Sequence, residues 1–154
     1  MIKGRPRRLH QIFQSCDPAL YFVTICTLHR RPFPALHLAN VAFREYALRA
    51  QAEFNVAVGR YVIMPDHLHL FVQGGQPFDL SLWVRGLKRV LSAVLKDQSC
   101  ESIWQPGFFD HVLRSEESYA QKWAYVRDNA VRKGLVKCWE DWPHQGEIVQ
   151  IDRV

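Results

Sequence analysis

The chain has 154 residues, of which 48% are hydrophobic and 23% charged, and this is the size and composition of one globular domain with a buried core. No apolar run approaches the roughly 20 residues of a membrane span, and no signal-peptide core follows the charged start. We therefore expect a cytoplasmic protein with no membrane partner. The net charge of +5 favours a polyanionic partner. The scattered cysteines predict reduced thiols rather than a zinc site or disulfides: Cys16, Cys26, Cys100 and Cys138.

The first 18 residues predict a basic arm on a single domain that spans 1–154. Four positive charges fall within six residues, around a glycine and a proline: Lys3, Arg5, Arg7 and Arg8. Such a segment has little apolar surface to bury. The arm either grips DNA phosphates or is a solvated tail.

The first half of the chain predicts a strand, a helix and a hairpin. Ala19–Thr27 is rich in aromatic and β-branched residues and predicts a buried strand. Apolar residues at helical spacing predict a helix over Leu38–Phe54. Val56–Met64 and His67–Val72 predict two strands, joined by a turn at Pro65-Asp66 into a hairpin.

The second half predicts a helix, a strand and a last helix. An apolar stripe predicts a helix over Asp79–Lys96 whose outer face is basic, with Arg85, Lys88 and Arg89. Phe109–Arg114 predicts a fourth strand. A last helix is expected to start at Ser115, with two carboxylates in its first turn, and to end at Gly134. The order βαββαβα predicts an α+β fold: a ferredoxin-like or RRM-like antiparallel sheet with helices on one face and a C-terminal helix.

Two histidines lie at the start of the third predicted strand. Because side chains alternate along a strand, His67 and His69 point to one face of the sheet while Leu68 points to the other. Both imidazoles are then close enough to bind one metal ion. The spacing alone leaves open that they are ordinary surface or core histidines.

The last predicted helix has two distinct faces. Tyr119, Trp123, Val126 and Ala130 form a narrow apolar stripe that is expected to face the core. Tyr125 and Asn129 lie one turn apart on a face away from that stripe, with Lys122 beside them. This position is unusual for a packing tyrosine, although the pattern alone also fits an amphipathic surface residue.

Longer motifs resemble a known family. MPDHLHLFV, IWQPGFFDHVLRSEESYAQKWAYVRDNAVRKGLV, the YFVTICT strand and the closing DWPHQGEI are similar to the REP-associated tyrosine transposases, which belong to the HUH single-strand transposases with one catalytic tyrosine. The resemblance implies Tyr125 as nucleophile, His67 and His69 as metal ligands, and Asn129 as third ligand. Ala130 departs from the proline that commonly follows the asparagine in relatives. Relatives that act as dimers exchange the tyrosine helix, so the resemblance leaves open whether this chain is a homodimer.

These roles predict a metal-dependent DNA transesterase. A phenol with a pKa near 10 is a poor nucleophile, and Mg²⁺ or Mn²⁺ would polarise the scissile phosphate. We expect cleavage and rejoining of single-stranded DNA with a hairpin or palindrome, through a 5′-phosphotyrosine link. Two alternatives remain: an RRM-like module that binds single strands without cleaving them, and a metal phosphodiesterase that uses water.

The sequence also leaves open the role of three aromatic residues before and at the start of the fourth strand. Trp104, Phe108 and Phe109 either stack on unpaired bases or pack in the core. We expect His111, on the same strand, to be structural.

Overall fold

A five-stranded antiparallel sheet organises the chain, with strand order β4-β1-β3-β2-β5. The computed structural model describes residues 19–75, 77–96, 102–114 and 118–151. The strands are β1 (Leu20–Cys26), β2 (Val56–Met64), β3 (His67–Gly74), β4 (Phe109–Leu113) and β5 (Gln145–Glu147). The helices are α1 (Leu36–Phe54), α2 (Leu80–Val94), α3 (Tyr119–Arg127) and α4 (Asn129–Arg132), with 3-10 turns at Leu28–Arg30 and Trp139–Asp141. The predicted α+β, ferredoxin-like order is confirmed.

Helices α1 and α2 cover one face of the sheet. Alternate residues of the central strands point towards them, and the buried set includes Val23, Ile25, Ile63, Leu68 and Leu70. From α1 and α2 the apolar residues predicted at helical spacing, such as Phe43, Leu87 and Leu91, complete this core. The side chain of Asp79 caps α2 by accepting a hydrogen bond from the backbone N–H of Leu82 (3.1 Å).

Helices α3 and α4 pack on the opposite face. The stripe predicted for the last helix is buried as expected, with Tyr119, Trp123, Val126 and Ala130 all at most 6% exposed. These residues pack on Val62, Met64 and Phe71 of the same chain. The C-terminal helices thus occupy part of the sheet face that ferredoxin-like nucleic-acid binders leave open.

Three local features differ from the prediction. The last helix begins at Tyr119 and not at Ser115, because the hydroxyl of Ser118 accepts the N–H of Gln121 and caps it; Ser115–Glu117 lie outside the described residues. The helix is also interrupted at Asp128, which separates α3 from α4.

Strand β5 was not predicted. Gly134, with φ of +73°, follows α4 as expected, and the N–H of Leu135 bonds to the Ala130 carbonyl.

Several other expectations concern termini and thiols. The basic arm lies outside the described residues, as do Cys16 and Cys100, whereas Cys26 and Cys138 are free thiols. None of the helices in the described part of the chain is long and apolar enough to cross a membrane.

Candidate active site

The histidine pair lies on the face of the sheet that also carries α3. His67 pairs with Cys26 on β1 and Met64 on β2, and His69 pairs with Thr24 and Val62. The two imidazole centroids are 4.8 Å apart and the ring planes cross at 79°. Strand alternation therefore brings both rings together, as predicted.

Each imidazole has a hydrogen-bond partner at its Nδ1 atom. Nδ1 of His67 lies 2.8 Å from Oδ1 of Asp66, and Nδ1 of His69 lies 2.8 Å from Oγ1 of Thr24. Partners of this kind fix the orientation and tautomer of metal-binding histidines. They leave Nε2 of both rings as the atoms that can bind a cation.

The surroundings of both histidines favour the neutral form of the imidazole. Burial lowers the pKa of His69 to about 3, and the positive charges of Lys122, Arg30 and Arg132 act in the same direction. Burial also lowers the pKa of His67, although Asp66 opposes that effect. Neutral imidazole is the form that binds metal ions.

Arg30 was missed by the sequence prediction, although it supports the site. Its backbone is left-handed, with φ of +56°, and its Nε donates to Oδ2 of Asp66 at 3.0 Å. Its Nη2 lies 3.4 Å from Nδ1 of His67. Burial alone would raise the pKa of Asp66, but hydrogen bonds from His67 and Arg30 hold that pKa below its ordinary value. Arg30 thus keeps the carboxylate that orients His67 ionised.

The flank of α3 that carries Tyr125 borders the histidine pair. The Nζ of Lys122 lies 4.9 Å from the ring centroid of Phe22, and Phe22 stacks on His69 with centroids 5.2 Å apart. Tyr125 lies one turn after Lys122 on this flank, and 66% of its surface is exposed. The predicted separation of Tyr125 from the buried stripe is confirmed.

Arg132 links the tyrosine to the histidines. Its guanidinium lies 4.3 Å from the ring centroid of Tyr125, within the range of a cation–π contact. Its charge also contributes to the lowered pKa of His69. A cation therefore lies beside the tyrosine and within electrostatic range of His69.

Asn129 is the first residue of α4. Its Nδ2 donates to the carbonyl oxygen of Val126 at 3.1 Å, so Oδ1 is the side-chain atom left to bind a cation. Among the described residues, this site included, there is no group of three or more His, Cys, Asp or Glu side chains that could hold a metal ion. The three predicted ligands thus offer two imidazole nitrogens and an amide oxygen, all of them uncharged groups.

The residues predicted to bind DNA lie in different places. Lys122 is at the histidine pair, whereas Arg85 and Arg89 are exposed on α2, in the layer on the other side of the sheet. Lys88 donates from Nζ to the carbonyl oxygens of Gln105 (3.1 Å) and Gly107 (2.6 Å), so its ammonium fastens the 105–107 loop to α2. Lys3, Arg5, Arg7 and Arg8 lie outside the described residues.

The three aromatic residues left open by the sequence differ in burial. Trp104 is buried, and its Nε1 donates to the Ser92 hydroxyl. Phe108 packs against the core beneath α2. Phe109 is 62% exposed, so only the first two are explained by packing. His111, expected to be structural, is exposed as well.

Comparisons with known proteins agree with these observations. The chain is similar to the REP-associated tyrosine transposase of Escherichia coli K12, with 26% identity over 126 residues, or 80% of this chain and 73% of the relative. A Haemophilus influenzae relative named after the same group is 26% identical over 137 residues, or 81% of this chain and 77% of the relative. Among solved structures, one described as a REP-associated tyrosine transposase bound to a REP hairpin superposes with a TM-score of 0.70 at 20% identity and covers 99% of this chain and 96% of its own.

The family assignment follows from a match over most of the chain. Residues 18–129, which include the histidine pair, Tyr125 and Asn129, match the model of the IS200-like transposases. The match spans β1 to the start of α4, so it covers four of the five strands and the residues of the candidate site. The chain therefore belongs to the IS200-like transposases, the tyrosine transposases of single-stranded DNA that its motifs predicted.

Proposed function

We propose that this transposase cleaves and rejoins single-stranded DNA with Tyr125 as its nucleophile, and that His67, His69 and Asn129 hold a divalent cation beside it. The observation that carries the proposal is the pair of imidazoles whose Nδ1 atoms are both hydrogen-bonded, together with Arg132, which contacts the ring of the exposed Tyr125 and acts electrostatically on His69. When bound, the cation would polarise a non-bridging oxygen of the scissile phosphate. Imidazole nitrogens are softer donors than Mg²⁺ prefers, so Mn²⁺ suits this set better.

The side chains of the chain would then perform the transfer. The phenolic oxygen of Tyr125 attacks the phosphorus as its proton leaves for solvent, and a tyrosine–phosphate ester forms. The bond to the 3′-oxygen breaks, and that oxygen leaves as a 3′-hydroxyl after taking up a proton. The positive charges of Lys122 and Arg132 offset the charge that builds up on the phosphate oxygens. Because the ester is a phosphodiester like the bond it replaces, a second 3′-hydroxyl can reverse the step and rejoin a strand.

In this proposal the DNA substrate is a single strand with a hairpin or palindrome. Support comes from the solved relative bound to a REP hairpin and from the positive charges around the histidines. We further propose that the arm residues Lys3, Arg5, Arg7 and Arg8 and the α2 residues Arg85, Lys88 and Arg89 contact phosphates away from the cut. Of these, Lys88 would have to do so while bonded to the 105–107 loop.

The test is formation of a covalent adduct. Labelled single-stranded hairpins are incubated with the protein and Mn²⁺, and the products are separated on a denaturing gel. We expect an adduct with the unaltered chain, none with Tyr125→Phe, and DNA binding within a few-fold of the original because only a hydroxyl is lost. Tyr21→Phe is the matched control and keeps the adduct. Cleavage without an adduct would instead support the water-dependent phosphodiesterase, and binding without cleavage would support the binding module.

A further inference from the structure

Phe109 lies in the same cross-strand row as the histidine pair. It begins β4, the strand at one edge of the sheet, and pairs with Thr24 of β1, which in turn pairs with His69 of β3. Paired residues of an antiparallel sheet point to the same face. The Phe109 ring is therefore on the histidine face, two strands away from His69, or about 10 Å at the usual strand spacing.

The surface of the sheet between Phe109 and His69 carries small and aromatic side chains. Only Thr24 separates them along the row, and its hydroxyl is turned to the His69 ring. In the next row Phe22 stacks on His69 and lies under the ammonium of Lys122. This part of the sheet surface therefore carries Thr24 and Phe22. The ammonium of Lys122 lies on the side towards α3, and the exposed ring of Phe109 lies at the β4 edge.

The exposure of Phe109 has no packing explanation within the described residues. Trp104 belongs to the core cluster that includes residues of α2, and Phe108 packs against that cluster. In contrast, 62% of the Phe109 surface is exposed. A large exposed apolar side chain next to polar and charged groups marks a contact site. Unpaired bases stack on such rings in proteins that bind single strands.

We propose that Phe109 is a stacking platform for the unpaired nucleobase next to the phosphate held at the histidine pair. The strand would cross β1 from the Tyr125 flank of α3 to the edge at β4, with its phosphates towards Lys122 and Arg132 and one base on the Phe109 ring. This deepens the proposed function and rests on it for the position of the phosphate. Phe109 binds and positions the strand in this proposal and takes no part in the chemistry.

The test couples removal of the ring to removal of the base. Single-stranded hairpin DNAs, each with one abasic nucleotide at a successive position, are bound to the full chain carrying Tyr125→Phe, and affinity is read by fluorescence anisotropy. We expect one abasic position to weaken binding about tenfold, and Phe109→Ala to weaken binding of intact DNA by a similar factor. At that position the abasic nucleotide should cause no further loss of affinity in the Phe109→Ala chain. Phe109→Trp should restore the affinity for intact DNA and again make binding weaker when that one nucleotide is abasic.

Two variants serve as controls. Val112→Ala alters a 42% exposed residue of the same strand that points to the other face with Tyr21, and Phe54→Ala removes an exposed phenylalanine at the end of α1. Both should leave the abasic profile unchanged. The proposal would be overturned if the Phe109→Ala chain and its parent lost affinity at the same abasic positions and to the same extent. It would also be overturned if sedimentation showed a dimer that Phe109→Ala dissociates and whose loss accounts for the weaker binding. Since no cleavage is measured, absence of the tyrosine adduct would contradict the proposed function and leave this coupling intact.

Discussion

The hydroxyl of Tyr119 fills the space above Gly59 where a Cβ atom would lie. It also accepts a hydrogen bond from the backbone N–H of Arg60 at 2.7 Å. The register of β2 against β3 shifts between Val58 and Tyr61, so this contact joins the first residue of α3 to the irregular part of the strand. The start of the helix that carries Tyr125 is therefore held against β2 by a contact that requires glycine at position 59.

We predict that Gly59→Ala destabilises the fold by about 1–3 kcal/mol, because the new methyl group meets the Tyr119 hydroxyl and forces a shift. Urea unfolding of the two chains measures the difference. In a Tyr119→Phe background the penalty should be smaller, since the closest atom is gone. An equal penalty in both backgrounds would contradict the explanation by this contact.

Thr24 offers a test of the cation site that leaves both histidines in place. Thr24→Val keeps the shape of the side chain but removes the hydroxyl that meets Nδ1 of His69. We expect the affinity for Mn²⁺, measured by electron paramagnetic resonance of the free ion, to fall about 10- to 100-fold. Thr24→Ser should retain most of the affinity. If valine and serine variants bind equally well, the hydroxyl does not orient the ligand.

Salt dependence should distinguish the two basic surfaces. Lys122→Gln should weaken binding of a short unpaired strand and reduce the slope of log affinity against log salt by about 0.7, the value for one phosphate contact on a single strand. The pair Arg85→Gln and Arg89→Gln should weaken only hairpins long enough to reach the α2 layer, because the sheet separates that layer from the histidines. Equal effects on the short strand would show that the cut strand itself runs over α2.

The tyrosine should act on the histidine pair of its own chain. An exchanged helix would require Tyr119, Trp123, Val126 and Ala130 to leave the core in which they are buried. We predict that a mixture of Tyr125→Phe and His69→Ala chains forms no adduct. Each variant lacks one half of the site, and neither can supply it to the other. Recovery of about a quarter to a half of the unmixed activity would instead indicate a homodimer with shared sites.

Much of the site follows from local periodicity. The side chains of a strand alternate whatever else the fold does, so the shared face of His67 and His69 could be predicted from two residues and their spacing. The helical period likewise separates Tyr125 from the stripe that begins at Tyr119. Both predictions concern residues close in sequence, where geometry is set by one element.

What the sequence could not predict depends on distant partners. Thr24 and Arg30 meet the histidines across 45 and 37 residues, and no local pattern identifies them. The sequence of strand β5, Gln145-Gly-Glu147, has no β-branched or aromatic residue that would predict a strand. The strand forms by pairing with Arg60–Val62 at the edge of β2. Lys88 has the spacing of a solvated residue, yet its ammonium reaches carbonyls 17 and 19 residues later.

The central place of β3 also divides the site into parts of unequal rigidity. Its backbone amides are hydrogen-bonded to β1 on one side and β2 on the other along the stretch that includes both histidines, so their hydrogen exchange should require opening of the whole sheet. Helix α3 has nine residues and ends at the break before Asn129. Its amides should exchange through local opening at a lower free energy. The two histidines would then keep their positions on the sheet while the hydrogen bonds of α3 open locally and its buried stripe stays in the core.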